Sequence, residues 1–364
     1  MRKQSLFVTA ATAVISAALL AACSGGTSPG TSTGLPSAGA SQSKGLFDPA
    51  RSGVAPKFLG MIGHAHAAKR RGVSPDNFGN RHIWVTDFGT GATDIVKYNT
   101  WAGQGSFSTG MNGPDGDWVD KTHPQDLYVA NYAGPYITEY TGANNGNPPT
   151  LAYTYSTGIA DPVDVTTDKN GNVYEADYNY TVAGGGYVNE YAQMSNTVIA
   201  SCSPGGNVEG VAVDKHGNVF VSYNNTSSFV GNIVEYSGGL AASHCVGTVL
   251  PITFGFLGGI ALDKVSGNLI VCDQTGPNFS GAAVDVVGYP SYSSVTGTLG
   301  SGYSDPFHVT IDMANDKAYV ADLGAGVVQV LNYPSGTSIT TLGSANGITQ
   351  PASAVDTHNS VVNL

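Results

Sequence analysis

Four side chains carry the chemistry that this sequence could bring to one place: Asp115, Asp164, Glu209 and His308. Each stands a few residues before a recurrent strand end, so a repetitive fold would gather three carboxylates and an imidazole around one opening. Carboxylates are the hard oxygen donors that a divalent cation takes. Exposed Asp and Glu more often only meet water, and both readings stand at this level. His64 and His66 would share one face of a strand, but a metal site needs a further ligand and two such His are ordinarily surface residues. No nucleophile elbow, phosphate loop, zinc helix motif or CxxC pair occurs. Gly184-Gly185-Gly186 is a turn between strands, with no helix after it to receive a phosphate. No catalytic residue, metal or cofactor is assigned on these grounds.

The cysteines divide by their surroundings. Cys272 occupies a slot filled elsewhere in the chain by Thr86, Ala130, Ala176, Ser222 and Ala321, and reads as a small buried residue. Cys202 and Cys245 fall in outer or connecting strands of successive repeats, and an exported location permits a bond between them. Spacing alone does not establish the Cα separation of about 4.4–6.8 Å that such a bond requires. Cys23 belongs to the N-terminal region.

The elements that must position these groups are repeats. His82-Ile-Trp-Val-Thr-Asp-Phe88 aligns with segments beginning at Asp126, Asn172, Asn218, Asn268 and Lys317. Each is a strand of alternating apolar positions ending at Asp87, Asn131, Asp177, Tyr223, Asp273 or Asp322. These markers are separated by 44, 46, 46, 50 and 49 residues, a period of about one four-stranded propeller blade. A turn and a second strand follow each marker, closed by Tyr98, Tyr140, Tyr191, Tyr236, Tyr289 or Tyr333. Before four of the markers lies an earlier strand ending in Asp and a turn, clearest in Gly210-Val-Ala-Val-Asp214 with Lys215-His-Gly-Asn218, where Asn-Gly suits a tight hairpin. One such sheet cannot bury both its faces, so consecutive sheets must stack, and six of them close into a ring. The expected fold is all-β, a six-bladed propeller. Its first copy begins at Arg81 without an inner strand, and Pro351-Ala-Ser-Ala-Val-Asp356 reads as the strand that completes it. Ser360 to Leu364 reads as a further strand with no vacancy to fill.

Composition agrees. Charged residues make up 11% of the 364, too few for long surface helices, while Gly numbers 49 and Tyr 19. A net charge of −11 repels phosphate backbones, so nucleic acid is not an expected partner.

The Gly-Val-Ala-Val-Asp pattern of Gly210 to Val221 and Tyr-Val-Ala-Asp at Tyr319 to Asp322 resemble the NHL-repeat propellers and the related YVTN-type bacterial propellers. The likeness covers 81–364 and specifies the fold strongly. Gluconolactonase-type relatives hold a divalent metal at the channel mouth with carboxylate and Asn side chains, which by resemblance points to Asp115, Asp164 and Glu209. Streptogramin lyase relatives use His and Glu in a seven-bladed ring, which points to His308 with Glu209. This chain departs from both, because glycine takes several of the channel-mouth positions counted back from the hairpin Asp, no Asn stands at those positions, and no seventh copy lies between Phe47 and Asn80. The recurrent marker Asp is read as structural, since an active site is needed once and this residue returns in most copies.

The first 22 residues carry Arg2 and Lys3, an apolar run from Leu6 to Leu20 and then small residues, the pattern of a secretory signal. Leu20-Ala21-Ala22-Cys23 resembles the lipobox of bacterial lipoproteins, which implies acylation of Cys23 and membrane attachment. Ser24 after it favours the outer membrane or cell surface. Residues 23–46 are Ser, Gly, Thr, Pro and Ala and read as a flexible linker; residues 47–80 form an irregular segment. Taken together, these features predict a lipid-anchored, monomeric cell-envelope propeller that binds a protein, peptide or glycan without catalysis. An enzyme of the lactonase or lyase kind is the competing expectation.

Overall fold

The computed structural model describes residues 81–120, 126–143, 147–179, 185–274, 281–312 and 314–356. They form a six-bladed β-propeller, each blade a four-stranded antiparallel meander. Blade one holds β1 (His82–Asp87), β2 (Ala92–Lys97) and β3 (Ala102–Phe107). Blades two and three are β4 (Pro114–Val119), β5 (Asp126–Asn131), β6 (Tyr136–Thr141), β7 (Thr150–Tyr155), and β8 (Pro162–Thr167), β9 (Val173–Asp177), β10 (Tyr187–Tyr191), β11 (Val198–Cys202). Blade four is β12 (Asn207–Val213), β13 (Val219–Asn224), β14 (Gly231–Tyr236) and β15 (Thr248–Val249), with the short helix α1 (Leu240–Ser243) before its outer strand. Blade five is β16 (Leu257–Leu262), β17 (Leu269–Asp273), β18 (Ala283–Val287) and β19 (Val295–Thr298). Blade six is β20 (Pro306–Ile311), β21 (Lys317–Asp322), β22 (Val327–Asn332) and β23 (Ser338–Leu342).

The expected closure is present. β24 (Pro351–Asp356) pairs with β1 as the inner strand of blade one, Trp84 opposite Val355 and Val85 opposite Ala354. Pairing the two ends of the chain leaves no open sheet edge on the channel side. Arg81 reinforces the seam, donating from Nε to Asp356 at 2.8–2.9 Å and from Nη2 to Asp312, with its guanidinium 3.6 Å from the centre of the Tyr98 ring. The Ser360 to Leu364 strand lies outside the described residues, as do Cys23, the signal and the linker.

The core sits between consecutive blades, because each sheet exposes an apolar face to its neighbour. Phe220 and Ile233 of blade four meet Leu257, Ile260 and Leu269 of blade five. Tyr319 and Val330 of blade six meet Ile83 and Val96 of blade one. The recurrent Tyr serves this packing while keeping its hydroxyl satisfied: Tyr140 donates to Thr109 O at 2.7 Å and Tyr191 to Thr157 O at 2.9 Å. Cys202 and Cys245 are bonded, with Cα atoms 5.2 Å apart, and join the outer strand of blade three to the segment after α1. Cys272 is a free, buried thiol, as its slot predicts.

The marker carboxylates are caps. Asp177 accepts the backbone N–H groups of Ala160 and Asp161, and Asp322 those of Ser304 and Asp305. Asp87 holds Thr349 and Gln350 in the same way. Each therefore fixes the loop that delivers its own blade's inner strand to the channel, which explains why the residue returns in most copies.

Candidate functional site

The inner strands β24, β4, β8, β12, β16 and β20 contact one another in that cyclic order and line the channel. Each carries a bulge just after its start, where the pairing register with the next strand shifts, as between Pro162 and Asp164 or Pro306 and His308. The residues following these bulges correspond around the ring: Gly116, Asp164, Gly210, Gly259, His308 and Ser353. Three are glycines, and that determines what the other three do. β8 and β20 are three steps apart, hence opposite, yet His308 Nε2 comes within 3.0 Å of Asp164 Oδ1. The imidazole therefore crosses the channel. A Cβ on Gly259 would stand 2.1 Å from His308 Cδ2, and one on Gly116 would stand 2.6 Å from Asp164 Cα. Only glycine at these positions leaves room for the crossing.

The crossing imidazole is hydrogen-bonded at Nδ1, 3.1 Å from the Ser353 hydroxyl, while Nε2 approaches Asp164 at ion-pair distance. Asp164 is anchored by two backbone donors, Val165 N–H to Oδ1 at 2.8 Å and Val211 N–H to Oδ2 at 2.9 Å. Burial disfavours an imidazolium here. Asp164, with Asp117 and Asp115 behind it, outweighs that and raises the His308 pKa above its ordinary value. The bulge residue Asp115 is buried, and burial pushes its carboxyl well above the usual range. Asp117 is fully buried as well, and burial, opposed by Ser353 and His308, lifts it to about 8.

Of the four residues singled out from sequence, three converge: Asp115, Asp164 and His308. Glu209 does not join the crossing, because its Oε1 is taken by Asn224 Nδ2 at 3.0 Å, and Asn224 in turn accepts from Leu257 N–H at 2.8 Å. Burial raises the Glu209 carboxyl well above its ordinary value. None of the four is a solvated loop residue; all are at most 7% exposed. Among the described residues no group of three or more His, Cys, Asp or Glu side chains is disposed to hold a metal ion.

Asp117 and Ser353 were missed from sequence, and the glycines at the channel mouth were not read there as room for a crossing side chain. Asp117 had a visible signal, since it corresponds to Val165, Val211, Ile260, Val309 and Ala354 in the other inner strands, and a carboxylate in an apolar column calls for an explanation. Ser353, His308 and Asp164 also follow the order of a nucleophile, a base and an orienting acid. The Ser353 hydroxyl is fully buried, and the three side chains together form a bar across the channel. Beyond the bar, toward the inner-strand ends, lies a cavity of about 20 Å³ walled by Val165, Val211, Ile260 and Val309, with Trp118 and Lys264 beside it. That is room for about one water.

No protein-family model matches the chain, and no curated protein matches it by sequence. Solved structures do. One chain of the nidogen/laminin complex is similar at TM-score 0.57 and 14% identity, covering 77% of this chain and 99% of that one. A protein of unknown function from Bacteroides caccae is similar at TM-score 0.54 and 12% identity, covering 76% and 98% respectively. A functionally unknown protein from Desulfotomaculum acetoxidans DSM 771 is similar at TM-score 0.51 and 11% identity, covering 74% and 99%. At these identities the likeness is one of fold: a six-bladed β-propeller.

Proposed function

We propose that this protein is a lipid-anchored propeller of the bacterial cell envelope that binds a protein, peptide or glycan on its surface without catalysing a reaction. The observation that carries the reading is the His308–Asp164 bar: the place where a propeller would hold a small substrate is filled by the protein's own side chains, bonded to one another and to backbone. Recognition is then left to the loops and outer strands, which a rigid ring presents in fixed positions. The fold-level likeness to a chain from a protein–protein complex is consistent with that use. Attachment rests on Leu20-Ala21-Ala22-Cys23, where acyl chains would supply strong apolar anchorage. Expressing the chain and its Cys23→Ala variant in a bacterial host, fractionating the membranes and identifying proteins cross-linked to the wild type tests both parts. Membrane retention of the variant overturns the anchor. Envelope cross-links that vanish when exposed loop residues are changed support the binding role, and hydrolysis of a lactone panel lost in His308→Gln would replace it with the enzymatic reading.

A further inference from the structure

The channel end at which the inner strands begin carries acids and, His308 of the bar apart, no base. Every Arg and Lys of the described residues lies at the other end: Arg81 precedes β1, Lys97 ends β2, Lys317 opens β21, and Lys169, Lys215 and Lys264 sit in the hairpins after β8, β12 and β16. Residues 180–184 and 275–280, outside the described residues, contain no charged residue. The marker carboxylates at the mouth are occupied in capping backbone N–H groups. Four further acids are not markers: Asp115 and Glu209 on the bulges of β4 and β12, and Asp161 and Asp305 just before β8 and β20.

These acids gather although they come from different blades. Burial raises the pKa of the Tyr132 hydroxyl, and Asp161, Tyr178, Asp115 and Glu209 raise it further, so this blade-two side chain stands among groups from blades two, three and four. Asp115 and Asp305 both act on Glu209. Acceptors here lack donors. Asp115 is 4% exposed and its Oδ1 has no partner; Asn207 is 6% exposed and its Oδ1 has none either, its Nδ2 being spent on the Tyr178 hydroxyl at 3.0 Å. Among the described residues no donor or cation faces the carboxylates of Asp161 and Asp305, and burial raises both, Asp305 to about 6 with Asp322 adding to it. Burial likewise raises Glu209, opposed by Asn224 and by no cation.

Buried carboxylates call for a counter-charge and orphaned acceptors for N–H groups. A guanidinium or ammonium group supplies both and brings no acceptor of its own, and an aromatic face such as that of Tyr132 favours it. Half-exposed Phe229, with half-buried Phe88, Phe256 and Phe307, stands at the same end, apolar surface that a peptide covers and a free polyamine does not. Beneath the mouth the His308–Asp164 bar crosses the channel, so a side chain entering here meets the carboxylates and goes no further. We infer that the mouth receives a lysine or arginine side chain from a basic segment of a partner protein. The inference deepens the non-catalytic binding reading above, on which it rests, and makes no use of the anchor. An end of the molecule without Lys or Arg would also steer a basic segment toward it, in a salt-dependent way.

The test titrates the full-length protein, at low ionic strength, with fluorescent Gly/Ser peptides bearing a central Arg-Lys pair or the neutral citrulline and ε-acetyl-lysine in their place. The cationic peptide should bind at least about tenfold more tightly, and high salt should weaken it. Glu209→Gln keeps the oxygen that Asn224 bonds and should lower the affinity about tenfold. Asp305→Asn should lower it severalfold, and it carries the test if Glu209→Gln depresses the melting temperature. Asp316→Asn, at the opposite end, should leave it unchanged. Equal affinity for the charged and neutral peptides, or an affinity that neither mouth variant alters, overturns the inference. Spermidine bound in place of the peptide assigns the mouth to a free polyamine and overturns the protein partner. Envelope cross-links without binding of the cationic peptide overturn this inference and leave the binding reading standing; lactone hydrolysis lost in His308→Gln overturns that reading and leaves the peptide result as the measure of this one.

Discussion

Replacing Asp117 with valine should stabilise this protein, and by more as the pH rises. Asp117 is fully buried in a position that is Val165, Val211 and Val309 in other blades, and its carboxyl is pushed up to about 8. The folded pKa lies above the unfolded one, so the folded state keeps a proton that the unfolded chain releases. The native state is therefore unburdened below about pH 4 and loses stability as pH rises through the folded pKa. The three units between the ordinary carboxylate value and pH 7, at 1.36 kcal/mol each, amount to about 4 kcal/mol. Part of this is returned, because His308 draws some of its raised pKa from Asp117. A net gain of about 2–3 kcal/mol remains for the valine variant at pH 7, or roughly 5–10 °C in a domain of this size. At pH 5 the gain should shrink to about 1 kcal/mol. Thermal melts of wild type, Asp117→Val and Asp117→Asn at pH 5, 7 and 8.5 check this, the asparagine separating charge from packing. A gain that does not grow with pH, or a valine variant less stable than wild type at pH 8.5, would refute the claim that burial of the carboxylate sets the cost.

Gly259→Ala should destabilise the ring by about 1–3 kcal/mol, because its methyl would overlap His308 Cδ2; an unchanged melt would mean that the imidazole does not cross the channel. Cys245→Ser opens a covalent loop whose ends are 43 residues apart and should cost roughly 3–4 kcal/mol in denaturant unfolding under oxidising conditions; wild type and variant should then coincide in reductant. Deleting Pro351 to Leu364 removes the inner strand of blade one, two Arg81 bonds to Asp356 and the cover over β1. That variant should melt far lower or self-associate through the exposed edge, and an unaltered melting temperature with monomeric elution would contradict the closure.

The blades were legible because their signals are local and repeated. A strand such as Tyr319-Val320-Ala321-Asp322 alternates with period two, Asn-Gly turns punctuate it, and recurrence near 47 residues leaves stacking as the way to bury both faces of each sheet. The C-terminal strand could be placed in blade one for a related reason, since Arg81 begins a copy that lacks what Pro351 to Asp356 supplies. The marker Asp could be read as structural from its recurrence, and the caps at Asp87, Asp177 and Asp322 give that reading its atoms.

The channel was less legible, because its contents depend on distance across a ring rather than along a chain. Asp115, Asp164, Glu209 and His308 could be nominated together from their place in the repeat, but sequence could not say that Glu209 would turn to Asn224 or that His308 would reach Asp164 on the opposite side. That outcome follows from how near the inner strands approach when six sheets close, and from glycines at 116 and 259 whose missing side chains leave the path open. What the sequence by itself determined is the unit and its number, because both are set by periodic local patterning. The bar across the channel was decided only by tertiary structure, since it is a relation between residues that share nothing but their height in the ring.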